Sequence, residues 1–68
     1  MSFGEKRELE LLGKEIESLN REKSEVTESM NHGDLSFEAL DKLSRRIMEI
    51  SSLLDGKELR WLELSEMA

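Results

Sequence analysis

Asn31-His32-Gly33-Asp34-Leu35 is the stretch that decides the fold. Asn, Gly and Asp side by side favour a turn, and helical patterning runs on both sides of them. Towards the N-terminus, Leu9, Leu12, Ile16, Leu19, Lys23, Val26 and Met30 recur at alternating spacings of three and four. Towards the C-terminus, the same alternation carries Leu40, Leu43, Ile47, Ile50, Leu54, Lys57, Trp61 and Leu64. This is the heptad period of a coiled-coil seam, with a lysine at one core position of each helix. Two such segments around a short turn predict an all-α fold, a two-helix antiparallel coiled-coil hairpin. Strand patterning is missing, since no period-2 run occurs and Ile and Val together number only four.

The expected organisation is a single coiled-coil domain over residues 1–68, with helix 1 at about 3–31, a tip at 32–35 and helix 2 at about 36–67. Ser2-Phe3-Gly4-Glu5 has the form of a capping box, and Ser36 is placed to cap the second helix. Leu35 is placed to staple onto Leu40, and Gly33 suits a left-handed position after helix 1. Folding about Gly33 brings together residues whose numbers add to roughly 69 or 70. Leu19 then meets Ile50, Ile16 meets Leu54, Leu9 meets Trp61, and Phe3 approaches Leu64 and Met67. Lys23 and Lys57 are expected to reach past the seam to water and to help set register. Gly13 and Gly56 fall at one height, each costing about 1 kcal/mol against Ala in a helix interior. A 3₁₀ or π turn, or a close backbone approach, is expected there.

Composition narrows the function. Sixty-eight residues with 38% charged and 4% aromatic side chains leave no material for a conventional core. There is no Cys to form a disulfide or a thiolate metal site. Charges punctuate the chain throughout, so neither a membrane span, a signal peptide nor a membrane partner is expected. A hairpin has almost no interior in which to shift the pKa of a catalytic group. His32, the single histidine, reads as a solvated turn residue, and the four glycines stand apart rather than in a phosphate-binding loop. No catalytic, cofactor-binding or metal-binding residue is expected, and the chain by itself is read as no enzyme. Glu8, Glu15, Glu22 and their neighbours read as a solvated face with partial ion pairing. Glu10 with Lys14 and Asp41 with Arg45 are i,i+4 pairs of favourable order.

Charge is unevenly placed. Ten basic against sixteen acidic residues give a net of -6, which disfavours a generic nucleic-acid domain. Residues 1–20 with 47–68, the base, hold five basic and ten acidic residues, a net of -5, while 21–46 are close to neutral. Arg21, Lys42, Arg45 and Arg46 in that tip half are therefore the candidate nucleic-acid contacts. At the base, Trp61 on Leu9 is the expected structural anchor, with a docking residue as the alternative role for Trp61. Leu11, Leu53, Leu59 and Leu62 broaden the apolar surface near that end and suggest packing on a second copy or a neighbouring domain. A monomeric hairpin is the expected state and a dimer the alternative.

The ends of the chain carry a family resemblance. Ser2-Phe3-Gly4-Glu5-Lys6-Arg7-Glu8-Leu9-Glu10-Leu11-Leu12, with Ile16-Glu17 and Leu19, resembles the start of the C-terminal coiled-coil domain of ABC-F, Uup-like ATPases. Arg60-Trp61-Leu62-Glu63-Leu64 is similar to the close of the same domain, and the resemblance spans nearly the whole chain. It implies a tail of a longer cytosolic protein whose two nucleotide-binding domains hydrolyse ATP with Mg²⁺. None of the ATP-site motifs occurs here. Such proteins act at the ribosome or, when Uup-like, are linked to DNA through this tail, so DNA, ribosomal RNA and the parent's own ATPase domains are the implied partners. The family's DNA-binding tails are expected to be basic, and this chain departs from that with its net of -6. Family members often carry a helix-unfriendly residue near the position of Gly13. A structural docking or dimerisation coiled coil without nucleic acid is the competing reading.

Overall fold

The structure, a computed structural model, describes residues 2–67. It consists of α1, Phe3–Met30, and α2, Phe37–Glu66, lying side by side in a body of 49 × 15 × 15 Å. Helices of this length run for about 42–45 Å at 1.5 Å per residue. They therefore lie alongside each other over nearly the whole long axis, and the chain reverses once, between Asn31 and Ser36. The two-helix hairpin is the architecture.

Local signals set the helix ends. The Ser2 Oγ accepts from the Glu5 N–H at 3.2 Å, while a Glu5 carboxylate oxygen accepts from the Ser2 N–H at 3.2 Å. That reciprocal box satisfies two otherwise orphaned donors. Ser36 Oγ accepts from the Ala39 N–H at 3.2 Å and starts α2 in the same way. At the end of α1 the Asn31 N–H donates to the carbonyls of Thr27 and Glu28, and the His32 N–H donates to that of Ser29. Gly33 then turns the chain with φ of 80°, in the left-handed region that costs an L-residue about 1–2 kcal/mol.

The core is thin. Leu12, Ile50, Leu54 and Leu64 are buried, whereas Leu9, Ile16, Leu19, Val26, Met30, Leu40, Leu43 and Ile47 are only half-buried. The accessible surface is 5243 Å², against about 4,400 Å² for a compact monomer of the same mass. Phe3 does not close the base over Leu64 as the sequence suggests, and it is 81% exposed. The expected irregularity at Gly13 and Gly56 is also absent. Both helices continue unbroken through these positions, because neighbouring residues supply enough propensity and packing to carry a single glycine. Gly56 faces open space, while Gly13 lies beneath the Trp61 indole, whose Nε1 is 3.9 Å from where a Cβ would stand.

Register is set on one flank. Glu8, Glu15 and Glu22, seven residues apart, form one stripe along α1, and each pairs with a cation of α2. Arg60 holds both carboxylate oxygens of Glu8 at 2.8 and 3.1 Å, and Arg46 holds both of Glu22 at 2.5 and 2.7 Å. Lys57 pairs with Glu15 between them. The paired numbers add to 68, 72 and 68, either side of the expected register. Sliding one helix by a heptad would move each fork about 10 Å from its carboxylate. Lys57 thus helps set register as expected, but through a specific partner rather than by reaching into water. Glu49 and Glu63 on α2 brace the same two arginines at 2.5 and 3.3 Å.

These contacts titrate. Hydrogen bonds from Arg60 and Arg46 hold the Glu8 and Glu22 carboxyls below the ordinary value of 4.5. A folded-state pKa below the unfolded one contributes stability that is present above about 4.5 and lost as pH falls through the lowered values. The melting temperature is expected to drop on acidification below pH 4.5. A Glu8→Gln/Glu22→Gln chain should melt lower at pH 7 and show a shallower pH dependence, both measurable by circular dichroism. A steeper profile in the double variant would remove the ladder from the account. Separately, Gly56→Ala should stabilise by about 1 kcal/mol, or about 4–8 °C in melting temperature, since its Cβ meets nothing. Gly33→Ala should destabilise by a similar amount.

Candidate functional site

The four cations expected to meet phosphate do not converge. Arg46 is committed to Glu22 and Glu49 across and along the helices, and its side chain is only 36% exposed. Arg21 pairs with Glu17 at 3.3 Å and Arg45 with Asp41 at 3.1 Å, each one turn away on its own helix. Both remain at least 70% exposed. Arg21 lies two residues beyond Leu19, and Arg45 lies two before Ile47, so each stands about 200° around its helix from a seam residue. The two therefore project from opposite outer faces of the hairpin. Lys42 is exposed and has no carboxylate within ion-pair distance among the described residues. Asp41–Arg45 forms as expected, whereas Glu10 and Lys14 do not come within ion-pair distance.

The base carries a different kind of surface. Trp61 is not a buried anchor on Leu9; it is 41% exposed and lies across Gly13. Leu9 itself is half-buried. The loss of about 3–5 kcal/mol typical of truncating a fully buried aromatic therefore does not apply to Trp61. Gly13, Ile16, Glu58 and Trp61 line a shallow groove of about 310 Å³ on the flank opposite the ion-pair ladder. The groove exists because glycine leaves space on α1 under the indole. Leu62, the next residue after Trp61, is exposed, as are Leu59 and Leu11.

Two features escaped the sequence reading. The ladder was signalled by glutamates at 8, 15 and 22, a heptad spacing that marks one stripe beside the seam. The groove had a weaker signal, a glycine at 13 one turn along α1 from Leu9, the residue expected opposite Trp61. His32 is exposed in the turn, and the described residues contain no cluster of three side chains suited to a metal. Shallow depressions also occur near the tip, around Lys23, Ser24 and Thr27, and on the ladder flank beside Leu53. In neither does a serine or threonine hydroxyl hydrogen-bond to a carboxylate or an amine among the described residues, and Thr27 Oγ1 donates instead to the Lys23 carbonyl. No helix is long and apolar enough to cross a membrane among the described residues.

Comparison with known proteins agrees with the geometry of the hairpin and with the resemblance at its two ends. No curated protein and no solved structure matches the chain. The family model for the ABC transporter C-terminal domain matches residues 1–66, from the capping box at the start of α1 to the last turn of α2. With nearly every residue of the hairpin covered, the chain belongs to the ABC transporter C-terminal domain family.

Proposed function

We propose that the chain is the accessory coiled-coil arm of a cytoplasmic ABC-F-type ATP-binding protein and that it docks by its base on protein. The observation that carries this reading is that Trp61, Leu59 and Leu62 are exposed together at the base, with Phe3, Leu11 and Met67 at the same end, whereas Phe37 and Met48 are exposed singly elsewhere. Exposed apolar residues concentrated in one place mark interaction surfaces. ATP and Mg²⁺ belong to the parent's nucleotide-binding domains, and the arm contributes no catalytic group. Mixed in trans with an ABC-F-type ATP-binding core lacking its own arm, the chain should bind weakly, with a Kd of about 1–100 μM, as small contact areas do. Leu59→Glu/Leu62→Glu should remove most of the heat in a calorimetric titration. Equal binding by that variant would move the contact away from the base.

A second reading, contact with DNA or ribosomal RNA by the tip half, is supported by the exposure of Arg21, Arg45 and Lys42. Local i,i+4 pairs are weak enough for phosphate to compete with them. Arg21 and Arg45 face opposite ways, so one nucleic-acid strand meets about two cations at a time. The log-log salt slope for short duplex DNA or RNA should then be about -2. A slope steeper than about -4, lost in Arg45→Glu, would make the tip a true nucleic-acid surface and displace the docking reading.

A further inference from the structure

The groove between Gly13 and Trp61 has features that docking by apolar contact alone does not use. Its floor is apolar, formed by Gly13, Ile16 and the indole, yet Glu58 stands on its wall. Two more carboxylates stand at its ends. Glu10 is three residues before Gly13 on the same face of α1, and Asp55 is three before Glu58 on the same face of α2. Because the helices are antiparallel, Glu10 lies on the base side of the groove and Asp55 on the tip side, each about 4.5 Å along the axis. Glu10, Asp55 and Glu58 have no cation within ion-pair distance among the described residues, unlike the glutamates of the ladder.

We propose that this groove seats an arginine side chain from a basic amphipathic helix of the partner protein, flanked one turn to each side by further basic residues. The proposal rests on the docking reading of the base and names the chemistry of its partner. The arginine stem covers the space over Gly13 and Ile16, its guanidinium stacks on the exposed indole, and its N–H groups reach Glu58. Arginine fits better than lysine, because a planar, weakly hydrated guanidinium satisfies the ring face and the carboxylate at once. Flanking basic residues one turn away, at a 5.4 Å rise, match Glu10 and Asp55. Charge also selects against the other occupants. A second copy would bring its own base of net -5 against this one, and its Arg46 and Arg60 are committed to their ladders. A phosphate backbone would meet three free carboxylates.

Trp61 is the single tryptophan, so its emission reports this groove alone. The probe is an 18-residue alanine-based helical peptide carrying Lys, Arg and Lys at successive i,i+4 positions beside two leucines. Titrated into the 68-residue chain at low salt, it should change Trp61 emission saturably. Glu58→Gln should weaken binding by about tenfold. Gly13→Leu, which fills the groove, should abolish the emission change while circular dichroism shows the helices intact. The same peptide with Glu in place of its cations should leave emission unchanged. An unmoved emission at millimolar peptide, or equal affinity in Glu58→Gln, would overturn the proposal. So would a larger emission change with short duplex DNA than with the peptide. If the ATP-binding core binds the chain through Leu59 and Leu62 but binds Glu58→Gln equally well, the groove assignment fails while docking by the base stands.

Discussion

Two helices laid side by side cover each seam residue from one direction and leave both flanks open to water. Every later feature of this hairpin follows from that constraint. Among the described residues only Leu12, Ile50, Leu54 and Leu64 are buried, and the rest of the heptad pattern is half-covered. Apolar burial alone is then a weak guide to register, because a slip by one heptad would again put apolar residues opposite one another. The flanks have to supply the information that the seam lacks. One flank does so with bidentate arginine forks on Glu8 and Glu22 and with Lys57 on Glu15. Paired charges beside a seam are the means by which coiled coils set partner and orientation.

The other flank carries no ion pair between the helices among the described residues. Gly13 removes bulk under Trp61, so the indole spans the interface without being enclosed by it. A Cβ at 13 would stand 3.9 Å from Nε1, in ordinary contact, so only a larger side chain there would fill the groove. The same flank keeps carboxylates with no ion-pair partner among the described residues, while those of the ladder are paired within the hairpin. A division of labour between flanks results. Charges on one side pair across the seam, and Glu10, Asp55 and Glu58 on the other make no ion pair among the described residues.

This division also changes how the basic residues are read. A basic count in the tip half suggests a phosphate-facing patch when the residues are viewed along the chain. In three dimensions Arg46 is a structural residue, and Arg21 and Arg45 point away from each other. Electrostatic attraction to nucleic acid depends on several cations reaching one backbone together. Membership of the ABC transporter C-terminal domain family places the hairpin as an accessory part of an ABC protein, and it does not by itself assign the surface that part uses.

Much of the fold was legible in the sequence because its determinants are local. The alternation of three and four, the Ser2 and Ser36 caps and the left-handed Gly33 each act within one or two turns, and a hairpin is the simplest way to satisfy all of them. The family was legible from Lys6-Arg7-Glu8-Leu9 and Arg60-Trp61 for the same reason, since these are contiguous words of sequence. What the tertiary structure decided is the rotation of one helix about its axis relative to the other. That rotation gives Glu22 to Arg46 and Glu8 to Arg60, leaves Glu10, Asp55 and Glu58 without ion-pair partners among the described residues, and sets Trp61 beside Gly13 with much of its ring in water. Heptad spacing specifies which stripe faces the partner helix. It does not specify how far each flank is turned towards solvent, because that depends on the sizes of facing side chains and on which long side chains lean across the seam.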